Sequence, residues 1–255
     1  MQAVIVILQN FIASFYGLFF LITGQALFTI YDGNLIGFYK KTIKYLLLPF
    51  FIGTWILLML QIGFSVSLTF AMDLLKAFVT NSLEERYWMP YTVMGICLIA
   101  PFISIMLNSL SEKERRVLLY LIIGYFAFFS LAIWFQIGIA IASYPFLNWM
   151  AYGIVGWLMT KISWSKRELN VIKEIGIVAL IVSSIEAVVF PGVNWCLDSY
   201  CLTRIFICML IYQLGRGIKG KKSADHTVIL AEGVYILALI FPIGAQIAEK
   251  LYEIS

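Results

Sequence analysis

Charge is what this sequence has least of. Only 13% of its 255 residues are charged and 62% are hydrophobic. A soluble domain carries about a quarter charged residues and roughly half apolar ones. The composition therefore excludes an ordinary water-soluble globule and predicts an all-α, polytopic transmembrane bundle. Histidine is nearly absent, at one residue, His226. Cysteine is sparse, and four residues make no disulfide scaffold in such a chain. There is no His-Glu-x-x-His helix, no Cys-x-x-Cys pair, no phosphate-cradling glycine loop and no dinucleotide fingerprint. Metal, nucleotide-hydrolysis and redox chemistry are thus unsupported. The formal net charge of +4 is spread over short loops with no arginine stripe, which excludes a nucleic-acid surface. No repeat, low-complexity tract or soluble domain interrupts the pattern, and Met1–Asn10 has no basic n-region or small-residue cleavage site.

What the chain does have is long apolar runs. About 20 uncharged residues are needed for a helix to cross ~30 Å of hydrocarbon. Eight candidate spans follow, at 11–30, 45–70, 88–110, 117–135, 141–160, 174–190, 197–214 and 227–247. The seventh is the least clean, since Asp198 and Arg204 leave only Leu202–Leu214 free of charge. Cations test the count. With alternating loops, Lys40, Lys41, Lys44, Lys113, Arg115 and Arg116 share one side with Lys161, Lys166, Arg167, Lys173, Arg216, Lys219, Lys221 and Lys222. These are fourteen of the 18 Lys plus Arg, and the positive-inside bias makes that side cytoplasmic. Both termini then face outward, an arrangement that suggests a further segment upstream. Trp88, Trp149, Trp157, Trp164 and Trp195 fall near span boundaries, as an interfacial aromatic belt requires.

The stretch Phe11–Pro49 organises the rest. A span ends at Ile30, a polar hinge follows at Asp32, Gly33 and Asn34, and Phe38-Tyr39-Lys40-Lys41-Thr42-Ile43-Lys44 then forms a cationic shelf. Lysines placed there can remain among headgroups, beside anionic lipid or a phosphate-bearing ligand. Within the first span, Gly17 and Gly24 lie seven apart on one face and permit close helix packing. Thr23 and Gln25 have a second reading, as the lining of a polar cavity.

Three further features each carry two readings. Glu186 is the one carboxylate well inside an apolar run. Intramembrane ionisable groups tend to be functional, yet it lies close enough to the outer end to snorkel or to pair with Arg204. His226, after the cluster Arg216, Lys219, Lys221 and Lys222, is either a solvated loop residue or a catalytic base at the mouth of the last helix. That cluster fixes topology and contacts anionic lipid, or it holds the phosphates of a ligand. Cys97 and Cys208 read as small hydrophobes, whereas Cys196 and Cys201 flank one loop and are bridged if it faces an oxidising side.

A series of segments, in order, resembles the acyltransferase-3 family, polytopic bacterial enzymes that move acyl groups, often acetyl from acetyl-CoA, onto sugars of surface polymers. The segments are Phe19-Phe20-Leu21-Ile22-Thr23-Gly24-Gln25, the run from Phe38 to Pro49, Trp88-Met89-Pro90-Tyr91 and Cys97-Leu98-Ile99-Ala100-Pro101. The charged loop Ser111–Arg116, Tyr152-Gly153-Ile154-Val155-Gly156-Trp157 and Gly233-Val234-Tyr235-Ile236-Leu237-Ala238 complete it. The resemblance implies a single integral-membrane domain over 1–255 in the cell membrane, with no bound cofactor and acyl-CoA as co-substrate. It implies that Lys40, Lys41 and Lys44 meet the acyl-CoA phosphates and that the acceptor is a hydroxyl of a cell-surface polysaccharide or its precursor.

The departures are specific. Thr42 and Tyr45 stand where the family has two arginines, and lysine holds phosphate as a point charge without the bidentate fork. Ala238 stands where the last helix often has His, and the family's first, His-bearing helix has no counterpart. The expectation is a member truncated at its N-terminus or inactive in this form. The alternative is a non-catalytic membrane component that exports a polysaccharide or lipid-linked sugar.

Overall fold

The helical chain is interrupted at Asp32-Gly33-Asn34, and local chemistry explains why. The Asn34 N–H donates to Asp32 Oδ1 at 3.0 Å, and Asn34 Oδ1 accepts from the Gly37 N–H at 2.8 Å, capping the next helix. Gly33 has φ +91°, in the left-handed region that residues with a Cβ rarely enter. The computed structural model describes residues 2–62, 72–73, 76, 80, 88–135, 137, 145–189 and 201–217. Among them the regular structure is helical throughout, with no strand. The eighth candidate span at 227–247, His226, Cys196, Lys219, Lys221, Lys222 and residues 63–70 of the second span lie outside the described residues.

The helices are α1 (Gln2–Ile30), α2 (Leu35–Thr42), α3 (Leu48–Ile62), α4 (Trp88–Ser109), α5 (Glu112–Trp134), α6 (Pro145–Lys161), α7 (Lys166–Val189) and α8 (Leu202–Gly217). At 29 residues α1 is about 43 Å long and starts nine residues before the expected Phe11. Ile43–Leu47 forms a π-helical turn that joins α2 to α3 without a break, so the helix runs from Leu35 to Ile62. The cationic segment is therefore helical, and the helix that contains the candidate span from Tyr45 already begins at Leu35. Pro49 accounts for the wide turn. Its ring would press on the carbonyl four residues back and it has no N–H to donate, and an extra residue per turn relieves both. Similarly, α7 starts at Lys166, eight residues before the expected 174, because Ser165 and Glu168 cap it in the charged loop.

The described chain forms two compact units. One holds residues 1–30 and 102–228, the other residues 31–101 and 229–255. In the first, α1 packs chiefly on α6 and also on α8 and α7, while α7 packs on α8. The α1–α6 seam is built from small residues. A Cβ on Gly24 would lie 2.1 Å from Gly153 Cα, and one on Gly156 would lie 1.9 Å from the Leu21 carbonyl oxygen. Gly17 faces Cys208 and Tyr152 equally closely. The expected close packing at Gly17 and Gly24 is what the backbone does. Phe20 stacks on Trp149 with ring centres 4.7 Å apart, and Tyr152 meets Phe126 edge to face beyond it. The first turn of α8 is completed from α5. Ser130 Oγ accepts from the Leu202 N–H at 2.7 Å while donating to the Phe126 carbonyl.

In the second unit, Tyr39 Oη donates to the Leu98 carbonyl at 2.7 Å, and Phe50 meets Tyr91 edge to face at 4.9 Å. These contacts hold α2 and α3 against the first turns of α4. Two helical segments, Tyr91–Ser109 and Glu112–Trp134, are long and apolar enough to cross a membrane. The outer face of α7 is apolar and exposed over Ile177, Val178, Ile181, Val182, Ile185 and Val188.

Candidate functional site

Polar side chains have to be accounted for one by one in a chain this apolar, because a buried polar group without a partner costs roughly 1–3 kcal/mol. In the first unit they collect where α1 meets α8. Arg204, 2% exposed, donates from Nη1 to Ser14 Oγ at 2.7 Å. One turn on, Cys208 Sγ donates to the Ser14 carbonyl at 3.4 Å. A turn further, Tyr212 Oη donates to Gln25 Oε1. Thr23 is buried on α1, and Glu186, 6% exposed, is buried on α7. Arg204 thus places a guanidinium in the interior of this unit, which apolar packing alone does not require. Thr23, Gln25 and Glu186 thus sit in one unit, with Arg204, Ser14 and Tyr212 added to them.

Lys40, Lys41 and Lys44 belong to the other unit. All three are exposed, Lys40 and Lys41 in the last turn of α2 and Lys44 in the π turn. The Lys44 ammonium lies 5.4 Å from the centre of the Tyr45 ring. Ile36, Ile43, Tyr45 and Leu48 are exposed on the same helical run. The lysines are therefore interleaved with apolar side chains along one amphipathic helix. Of the cysteine pair considered for a bridge, Cys201 is buried at the start of α8.

A third constellation frames the loop between α6 and α7. Arg116 Nη1 donates to Glu168 Oε1 at 2.5 Å, and Nη2 donates to the Ser163 carbonyl at 2.8 Å. Its Nε lies 3.5 Å from Glu112 Oε1, which also accepts from the Ser163 N–H at 3.0 Å. Arg115 stacks over Trp157 at 5.4 Å, and Arg116 lies 6.0 Å from the Trp164 ring centre. The helices that supply Arg116 and Glu168, α5 and α7, both begin with capping boxes, Ser111 with Glu114 and Ser165 with Glu168. The Ser165 N–H, the Arg116 guanidinium and the Ser165 hydroxyl hold the Glu168 carboxyl well below the usual carboxylate range, at about 2.

The sequence reading singled out neither this frame nor Ser14, Tyr212 and Gln213. Two signals for them were present. The spacing Ser-x-x-Glu occurs at 111–114 and at 165–168 and marks helix starts. Gln213 is an amide inside the apolar run of α8. Among the described residues, no group of three or more His, Cys, Asp or Glu side chains could hold a metal ion. Comparison with protein-family models, curated proteins and solved structures finds no match to the chain.

Proposed function

We propose that this chain is a multi-pass protein of the plasma membrane, with about eight spans, that transfers an acyl group from acyl-CoA to a sugar hydroxyl of a surface polymer. The observation that carries the reading is the helical run 35–62, whose exposed surface holds Lys40, Lys41 and Lys44 beside the exposed apolar side chains Ile36, Ile43, Tyr45 and Leu48. Such a helix suits a headgroup layer, where each cation adds about 1 kcal/mol toward anionic partners. The apolar outer face of α7 supports the membrane setting, because a surface of that kind is stable in hydrocarbon and not in water. The resemblance to the acyltransferase-3 family supplies the reaction. A sugar hydroxyl attacks the thioester carbonyl, its proton passes to a base, and the CoA thiolate departs. The lysines would hold the CoA phosphates as point charges.

The test uses the full chain in lipid nanodiscs with radiolabelled acetyl-CoA. Saturable binding that falls about tenfold or more in the K40Q/K41Q/K44Q variant is expected. No binding, or equal binding by wild type and variant, overturns the acyl-CoA reading. Thr42, Tyr45 and Ala238, at the family's two Arg positions and its last His position, favour the second reading, a non-catalytic component for polymer or lipid-linked sugar export. Polymer export that continues without any acylation in cells supports that reading instead.

A further inference from the structure

Behind the Arg116–Glu168 frame lies a cavity of about 350 Å³ in the first unit, bounded by the end of α6, the 162–165 loop, the start of α7 and α8. Its volume is roughly ten times one water's share of the liquid, so it admits a small molecule and not only solvent. Three of its walls are polar. Gln213, 8% exposed, has neither amide Nε2 nor Oε1 engaged in a hydrogen bond. The indole Nε1 of Trp164 is buried and likewise without an acceptor. Lys173 also lines it, as does Thr160, whose hydroxyl donates to the Trp157 carbonyl. The remaining lining, Met159, Ile162 and Leu169, is apolar.

An amide donor and acceptor that are both idle in a nine-tenths buried side chain are costly, and native structures rarely leave such groups without a partner. The donors that the lining side chains carry are the Lys173 ammonium, the Trp164 N–H and the Gln213 amide N–H. Gln213 Oε1 is an idle acceptor, which calls for a ligand that itself donates. We propose that this cavity binds an anionic phosphate ester carrying a hydroxyl group. The phosphoryl oxygens take the three donors, the ligand hydroxyl donates to Gln213 Oε1, and the carbon skeleton lies along Met159, Ile162 and Leu169. A tetrahedral oxyanion has enough acceptor positions for donors arriving from three elements. The Arg116 guanidinium lies 6.0 Å from the centre of the Trp164 ring and so links the frame to this wall of the cavity. The site stands whether or not the protein transfers acyl groups, since it uses none of Lys40, Lys41 and Lys44.

The same chemistry is offered by the headgroup of a glycerophospholipid and by a free sugar-alcohol phosphate. The experiment separates them with the full chain in phosphatidylcholine nanodiscs. One arm titrates glycerol 3-phosphate and the other exchanges part of the lipid for phosphatidylglycerol. Tryptophan fluorescence is read as the difference from a Trp164→Phe variant. A saturable change is expected in at least one arm, weakened about tenfold or more by Lys173→Met and by Gln213→Leu. A response only to phosphatidylglycerol assigns the headgroup, and a response to glycerol 3-phosphate assigns the free ester. Lys173 is only partly buried, so its variant remains informative should Gln213→Leu perturb folding. No response in either arm, or responses equal in wild type and Lys173→Met, overturns the proposal.

Discussion

Two parts of the first unit are held together in opposite ways. The α1–α6 seam is a contact of backbone on backbone, made possible by Gly24, Gly153 and Gly156. The frame at the α6–α7 loop is a contact of charges, made by Arg116, Glu112 and Glu168 with two serines. The seam has no conformational slack, because the atoms in its way are main chain. The frame consists of half-exposed side chains that can rearrange or exchange with water. Dispersion and close approach hold helices together where surrounding lipid offers no hydrophobic gain, whereas ion pairs at an aqueous edge mainly set geometry. Stability should therefore concentrate in the seam and positional definition in the frame.

The largest effect is expected at Gly156. A Cβ there would meet the Leu21 carbonyl at 1.9 Å, so Gly156→Ala must push two helices apart. Overpacking of this kind costs about 1–3 kcal/mol or more. Gly124→Ala on α5 has nothing within 4 Å and serves as the control, neutral or slightly stabilising. Thermal unfolding in detergent that is the same for the two variants would break the contrast.

An intermediate effect is expected at the buried link between α1 and α8. Ser14→Ala removes the hydroxyl that accepts from Arg204. Interhelical hydrogen bonds in membrane proteins contribute about 0.6–2 kcal/mol, and a loss within that range should appear in denaturant unfolding. An unchanged midpoint would show that α1 and α8 rest on packing alone.

The smallest effect is expected at Glu168. Its folded-state value of about 2 is below the ordinary 4.5, so the frame gains from ionisation above the ordinary value. That gain is lost as pH falls from about 4.5 towards 2. Amide exchange in the 162–168 loop should quicken over that window by no more than a few-fold in wild type, whereas Glu168→Gln should show no such window. A variant that keeps the wild-type pH profile would remove Glu168 from the frame.

The hinge and the seam were legible in the sequence because their causes are local. Asp32-Gly33-Asn34 is turn chemistry within three residues, and Gly17 and Gly24 share a helix face by spacing alone. The frame was only half legible. The two serine–glutamate boxes are local, but Arg116 meets Glu168 across 52 residues, and no periodicity announces such a pairing. The helical stretches that contain the candidate spans 45–70 and 174–190 begin earlier than those spans for a different reason. Hydropathy marks only the apolar part of a helix, whereas caps such as Ser165 with Glu168 start the helix among charged residues. Gln213 escaped notice because one amide scarcely alters the hydropathy of the run around it, while its burial against a cavity appears only in three dimensions.

The Ser130 hydroxyl carries a consequence for the order of assembly. The leading amide of α8 takes its acceptor from a side chain 72 positions earlier. During synthesis α5 emerges first with that hydroxyl already turned back onto its own carbonyl at Phe126, ready to receive. The last described helix thus satisfies its leading amide on a side chain synthesised long before it.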